Sequence, residues 1–145
     1  MPNDLSPRLA AIVDALPLRR GIRVLEIGCG PGAAARAIAM RLDGGQITAI
    51  DRSAKAIAQA IAGSKRELAT GRLVFRQAAI EDFELEEGER PYDLAFAIRV
   101  GALDGRHPEA GRRALQRIRK ALKKGGRLLI DGGDPLREVP LADAR

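Results

Sequence analysis

Tryptophan is missing from this chain, cysteine and histidine occur once each, and aromatic residues make up only 3% of it. Each scarcity excludes something. A lone cysteine, Cys29, rules out an internal disulfide and a cysteine-based metal cluster. With His107 the sole histidine, the ligand set of a zinc site is lacking too, and no metal is expected. With so few aromatics, the stacking platforms expected of a reader of single-stranded nucleic acid are largely missing. The net charge of +6 is spread through interleaved acids and bases, which reads as a solvated cationic surface, and nucleic acid is not an expected partner. No apolar run approaches the roughly 20 residues that cross a bilayer, so no membrane partner is expected. The first residues carry acids where a secretory leader carries bases, and the expected location is cytoplasmic.

What is present is an alternation of short apolar runs with helical segments, the pattern of a parallel sheet covered by helices on both faces. At 145 residues the chain fits a single domain, 1–145. "IRVLEI" (22–27), "QITAID" (46–51), "RLVFRQ" (72–77) and "YDLAFAI" (92–98) are the strand candidates, and "GRLLIDG" (126–132) makes a fifth. Ala, Ile and Leu recur at helical spacing over 32–42, 53–69 and 108–124, the crossovers between strands. A leading helix within 1–20, near 4–16, stops before Pro17, and the tail over 134–145, with prolines and no period, is expected to be irregular or loosely docked. The fold class is therefore α/β, a doubly wound, mostly parallel sheet of about five strands.

The chemistry concentrates in "VLEIGCGPGAAARAI", residues 24–38. Glycines at 28, 30 and 32 between a strand and a helix let a ligand approach the helix N-terminus without side-chain obstruction. The same spacing fits a dinucleotide fingerprint, with Ala33 in its last small position and Asp51 about 20 residues on. Asp51 offers two acceptors to vicinal ribose hydroxyls in either case. Glu26 breaks the tie, because a carboxylate beside this loop repels a pyrophosphate and favours an ammonium group. S-adenosylmethionine carries both the ammonium and the ribose.

With "ITAIDRS", "YDLAFAIRV" and "LKKGGRLLI" following in order, the stretch over residues 20–132 resembles the class I S-adenosylmethionine-dependent methyltransferases. The resemblance implies a Rossmann-like methyltransferase fold with the cofactor across the carboxyl ends of the first strands. It implies Glu26, Gly28 and Gly30 at the methionine end, with Cys29 as a small contact residue in the same turn. Asp51 would take the ribose hydroxyls and Arg52 would border the adenine. Ala79, with Ile80 next, occupies the place where the family commonly has an acid facing the adenine amino group; their backbone can serve, or Glu81 or Asp82 after a shift of register. The usual C-terminal hairpin is absent on this reading. That leaves the fifth strand an open edge, to be covered by the tail or by a second copy in a homodimer.

Methyl transfer from a sulfonium is an in-line displacement in which positioning supplies much of the rate, so a thin catalytic set is expected. The catalytic residue is not assigned. Arg99, Asp104 and His107 are candidates, with Asp131 and Asp134 beside them at the ends of strands four and five. His107 is the one imidazole available as a general base, or is a loop histidine before Pro108. Arg99 reads equally as a carboxylate binder, for the substrate's or the cofactor's own, and as a structural ion pair. After strand four stands "AIRVGAL", with neither the "Asn-Pro-Pro-Tyr"-like segment of adenine amino-methylation nor the cysteine of cytosine carbon methylation. A small-molecule acceptor is the expectation. Two alternatives stay open: a binding protein that keeps the fold without turnover, and a nicotinamide-dependent oxidoreductase, which Glu26 opposes.

Overall fold

The computed structural model describes residues 5–103 and 105–141. Six strands form one sheet: β1 Arg23–Ile27, β2 Gln46–Asp51, β3 Leu73–Gln77, β4 Tyr92–Ala97, β5 Leu122–Asp131 and β6 Leu136–Val139. Their order is β3-β2-β1-β4-β5-β6. The first five run parallel, and β6 returns antiparallel against β5, with Leu129 opposite Glu138 and Ile130 opposite Arg137. The α/β class read from the sequence holds, with one strand more than expected.

The chain winds outward from β1 through β2 to β3, then jumps back to lay β4 on β1's other side. This reversal opens a crevice at the carboxyl ends of β1 and β4, where ligands of such sheets bind. Strands β1, β2 and β4 bury nearly every residue because helices cover both faces. On one face Val24, Ile47, Leu94 and Phe96 pack under α1 (Pro7–Ala15) and α2 (Ala33–Arg41); on the other Leu25, Ile27, Ile50 and Tyr92 pack under α5 (Pro108–Ala121). Alternation along β1 sends Glu26 to the α1 side with Val24.

Local chemistry explains the ends of the helices. Ser6 caps α1, its Oγ accepting from the Leu9 N–H at 3.1 Å, and Pro7 opens the first turn. Ser53 caps α3 (Ala54–Ala62) in the same way through the Ala56 N–H. The single helix expected over 53–69 is two: Gly63 ends α3, and α4 (Lys65–Ala69) begins past Ser64, which is fully buried and accepts from Arg36 at 3.0 Å.

Three further expectations need correcting. The helix expected to reach residue 124 ends at Ala121, and β5 begins at once, Leu122 pairing with Tyr92 before the register shifts to Arg127 opposite Leu94. The glycines at 125 and 126 lie in that irregularity and do not mark the strand's start. The tail expected to be irregular supplies β6, so β5 is not an open edge, and the absent hairpin is replaced by one short antiparallel strand.

Candidate functional site

The loop after β1 is fastened to the end of β2, since the N–H groups of Gly28 and Cys29 both donate to the Ile50 carbonyl, at 2.8 and 2.9 Å. Gly28 and Gly30 adopt positive φ, +73° and +54°. A Cβ on Gly28 would stand 2.8 Å from Val100 Cγ2, so this position needs glycine for space as well as for conformation. Asp51, at the end of β2, braces the loop from below: its Oδ2 accepts from the Gly30 N–H at 2.8 Å and its Oδ1 from the Ser53 N–H at 2.9 Å. A carboxylate has about four lone-pair sites, so acceptor capacity remains after these two bonds.

Glu26 is different. It is 5% exposed, and its Oε1 has no hydrogen-bond partner. Burial, and after it the nearby Asp51 charge, pushes its carboxyl up to about 8. A buried acceptor without a donor costs free energy and calls for a physical reason. Here Glu26 lines a cavity of about 450 Å³ whose other walls are the glycine loop and, from α1, Arg8, Leu9 and Ile12. A cationic donor in that cavity completes its bonding.

Across Gly28 the site continues as a cleft of about 550 Å³ lined by Asp51, Arg52, Ala79, Ile80 and Glu81 on one side and by Arg99, Val100 and His107 on the other. Arg52 and Glu81 pair at 2.5 Å. Glu81's second oxygen, Oε1, is buried and unpartnered, a second open acceptor at the corner where the sequence favoured the backbone of Ala79 and Ile80. The acid sits one position beyond Ile80, carried inward by the single 3-10 turn Ile80–Asp82. Asp82 points instead to Arg113 on α5.

Cys29 is buried, and its thiol is pushed up to about 12, by burial first and then by Glu26 and Asp51. That leaves it uncharged and without nucleophilic character at neutral pH. Arg99 follows β4 with φ +57°, an unusual backbone state for a residue with a side chain. Its N–H donates to Asp131 Oδ1 at 3.1 Å, while Asp131 Oδ2 accepts from Arg8 at 3.1 Å. Asp131 therefore joins α1 to the loop after β4, and it is committed to that duty. His107 is exposed at the start of α5 and makes no side-chain cap. Asp104 lies outside the described residues. Asp134 is exposed in the turn before β6.

A cation-seeking carboxylate, acceptors at the end of β2 and a cleft ending in Glu81 form the acceptor set that an amino-acid-bearing adenosine requires. The residues fit the group that the resemblance implied. Comparison with known proteins agrees, because the profile of a methyltransferase domain matches residues 18–144. The chain belongs to the methyltransferase domain family. A protein-L-isoaspartate O-methyltransferase of Methylorubrum populi is 36% identical over 127 residues, 88% of this chain and 52% of that protein. The chain spans about half the length of the curated relatives it matches. Among solved structures, a methyltransferase of Thiobacillus denitrificans with S-adenosyl-L-homocysteine superposes with a TM-score of 0.66 at 24% identity, over 90% of this chain and 50% of that one. Phosphoethanolamine N-methyltransferase 2 of Haemonchus contortus, with S-adenosyl-L-methionine, does so at 0.65 and 27% identity, over 85% of this chain and 27% of that one.

Of the residues expected from sequence, the methyltransferase domain brings Glu26, Gly28, Cys29, Gly30, Asp51, Arg52, Ala79, Ile80, Arg99 and His107 to two adjoining cavities that meet at Gly28 and Arg99. Reading the sequence missed the contribution of α1. Arg8 and Leu9 wall the Glu26 cavity, and nothing in their spacing distinguishes them from ordinary helix residues.

Proposed function

We infer that this domain binds S-adenosylmethionine across the ends of β1, β2 and β4 and transfers its methyl group to a small-molecule acceptor. The observation that carries this reading is the unpartnered oxygen of Glu26 beneath the glycine loop. In this assignment the Glu26 carboxylate and the Gly28–Gly30 loop take the amino-acid end, Asp51 takes the ribose hydroxyls, and Glu81 with the backbone of Ala79 and Ile80 takes the adenine edge. Arg52 holds Glu81 in place. Bound there, the cofactor supplies a methyl group on a positively charged sulfur. The protein's part is to fix direction and exclude water, for which the rigid loop and the α1 wall are suited. His107 remains the candidate base for an acceptor that must lose a proton.

The support for a small acceptor is the absence of the nucleic-acid signatures after β4 and the concave clefts that meet at Arg99. The name of the Haemonchus neighbour also denotes a small acceptor. A homodimer formed through the edge beyond β5 uses β6, the outer strand at that end of the sheet; light scattering that gives a monomer removes it.

The test is calorimetric titration with S-adenosylmethionine and NAD in parallel, repeated in buffers of different ionisation enthalpy. At pH 7 free Glu26 is largely protonated, and binding an ammonium favours its ionised form. Binding of S-adenosylmethionine is therefore expected to release close to one proton, with affinity rising toward pH 8. NAD binding in preference, or binding without proton release, overturns the reading. Binding without turnover on any acceptor would favour a cofactor-binding role.

A further inference from the structure

A third cavity, of about 430 Å³, opens on the far side of Arg99 between the ends of β4, β5 and β6. It is distinct from the cofactor clefts and touches them only through Arg99 and Val100. Its floor is apolar, with Ala97, Leu103 and Ile130, and its rim carries three arginines, Arg99, Arg106 and Arg137. Among the described residues one acid faces it, Asp131, and both its oxygens are already taken, one by Arg8 and one by the Arg99 N–H. The guanidinium groups of Arg99 and Arg137 have no ion-pair partner among the described residues. Arg137 is placed there by β6, opposite Ile130 in the register. A concave, apolar-floored site rimmed by guanidinium groups is complementary to a small organic anion, since planar guanidinium matches carboxylate two bonds at a time.

The geometry points to this cavity as the acceptor subsite and to a small carboxylic acid as the substrate class, held by Arg99 and Arg137. This deepens the methyltransferase reading and rests on it. The same assignment accounts for the lack of a base: no described side chain of the cavity is free to take a proton, since Asp131 is committed and His107 lines the neighbouring clefts. A carboxylate needs none. Its oxygen forms the new bond to the methyl carbon as the carbon–sulfur bond breaks, and that bond's electron pair stays on sulfur. The anionic acceptor becomes a neutral methyl ester and the sulfonium a neutral thioether. Arg99, bordering all three cavities, sits where acceptor and donor meet.

The probe is succinate, with succinamide as its uncharged counterpart, titrated by NMR into the full chain with and without S-adenosylhomocysteine. Succinate is expected to bind at least tenfold more tightly than succinamide, and Arg137→Gln to remove that preference while S-adenosylhomocysteine affinity stays within twofold. Arg137→Lys, which keeps the charge and loses the paired geometry, is expected to fall between. Labelled methyl transferred to small acids should also be released as methanol by mild alkali, the mark of a carboxyl ester. Equal binding of the two probes, no effect of Arg137→Gln, or alkali-stable product overturns the inference. Failure of S-adenosylhomocysteine to bind, with succinate still preferred, sinks the donor-site reading and leaves the anion subsite standing.

Discussion

Glu26 on β1 and Glu89 just before β4 are both shielded carboxylates, and the chain treats them oppositely. Around Glu89, in the segment leading into β4, partners crowd in. Its Oε2 accepts from the Tyr92 hydroxyl at 2.5 Å, and its Oε1 accepts from the Glu86 N–H at 2.8 Å and from Arg76 at 3.4 Å. Arg23 adds a charge at 3.8 Å. Burial works to raise the Glu89 carboxyl, but the Tyr92 bond, the backbone bond and Arg76 outweigh it and hold the carboxyl below its ordinary range. The same arrangement pushes Tyr92 up to about 12, through burial and then Glu89. Two donors are left over, Arg23 Nε and Arg76 Nη2, and both guanidiniums lie over rings, Tyr92 at 5.0 Å and Phe83 at 4.5 Å. Glu26 has none of this. One region spends its polar groups on holding the fold, and the other keeps an acceptor open at a cost in stability, the pattern of a site awaiting a ligand.

The largest effect expected from breaking this contrast is on the satisfied side. Glu89→Ala leaves Tyr92 and Arg76 without their shared acceptor and should lower unfolding free energy by about 3 kcal/mol, measured with urea. S-adenosylmethionine affinity should stay within twofold. Glu26→Gln should do the reverse, weakening S-adenosylmethionine binding by about 2.5 kcal/mol, through loss of the charged acceptor, while stabilising the free protein at pH 8. The sign follows from linkage: the folded-state carboxyl, near 8, lies above its ordinary 4.5, so the unfolded chain gives up the proton first. This group's contribution therefore falls as pH rises from about 4.5 to about 8, and thermal melts across that window should slope more steeply downward for the native chain than for Glu26→Gln. A variant no more stable than the native chain at pH 8 would show that Glu26 is already satisfied.

Asp51→Ala sharpens the division within the site. It removes the acceptors assigned above to the ribose and the brace on Gly30, with about 2 kcal/mol of binding expected to be lost in calorimetry. Gly28→Ala tests the backbone alone, at about 1.5 kcal/mol of stability, because its φ of +73° disfavours a side chain and Val100 stands in the way. The smallest effect belongs to the surface: Arg20→Ala breaks an ion pair with Asp43 whose partners are both largely exposed, and less than about 0.5 kcal/mol should follow.

The sequence disclosed most where local physics dominates. β1, β2 and β4 were readable to within about a residue because strands buried on both faces write themselves as nearly uninterrupted apolar runs, the outer strand β3 from its short Leu-Val-Phe run, and Gly28, Gly30 and Asp51 because a strand–turn–helix junction demands them. Leu122 was hidden because nothing local separates the last turn of α5 from a strand that starts without a loop; only pairing with Tyr92 settles it. β6 escaped notice because "LREV" is too short and too charged to stand out, and its place depends on an edge supplied by β5. The same is true of the site. Glu26 was recognisable as a misfit beside a glycine loop, whereas the positions of Arg8 and Arg137 beside their cavities arise from distant elements meeting and have no signature along the chain.

The bond between Arg8 and Asp131 spans 123 positions. A ribosome makes the first of these partners early and the second near the end of the described chain, so a nascent domain can dock its opening helix on α2, through Asp14 and Arg41, long before that last tether exists.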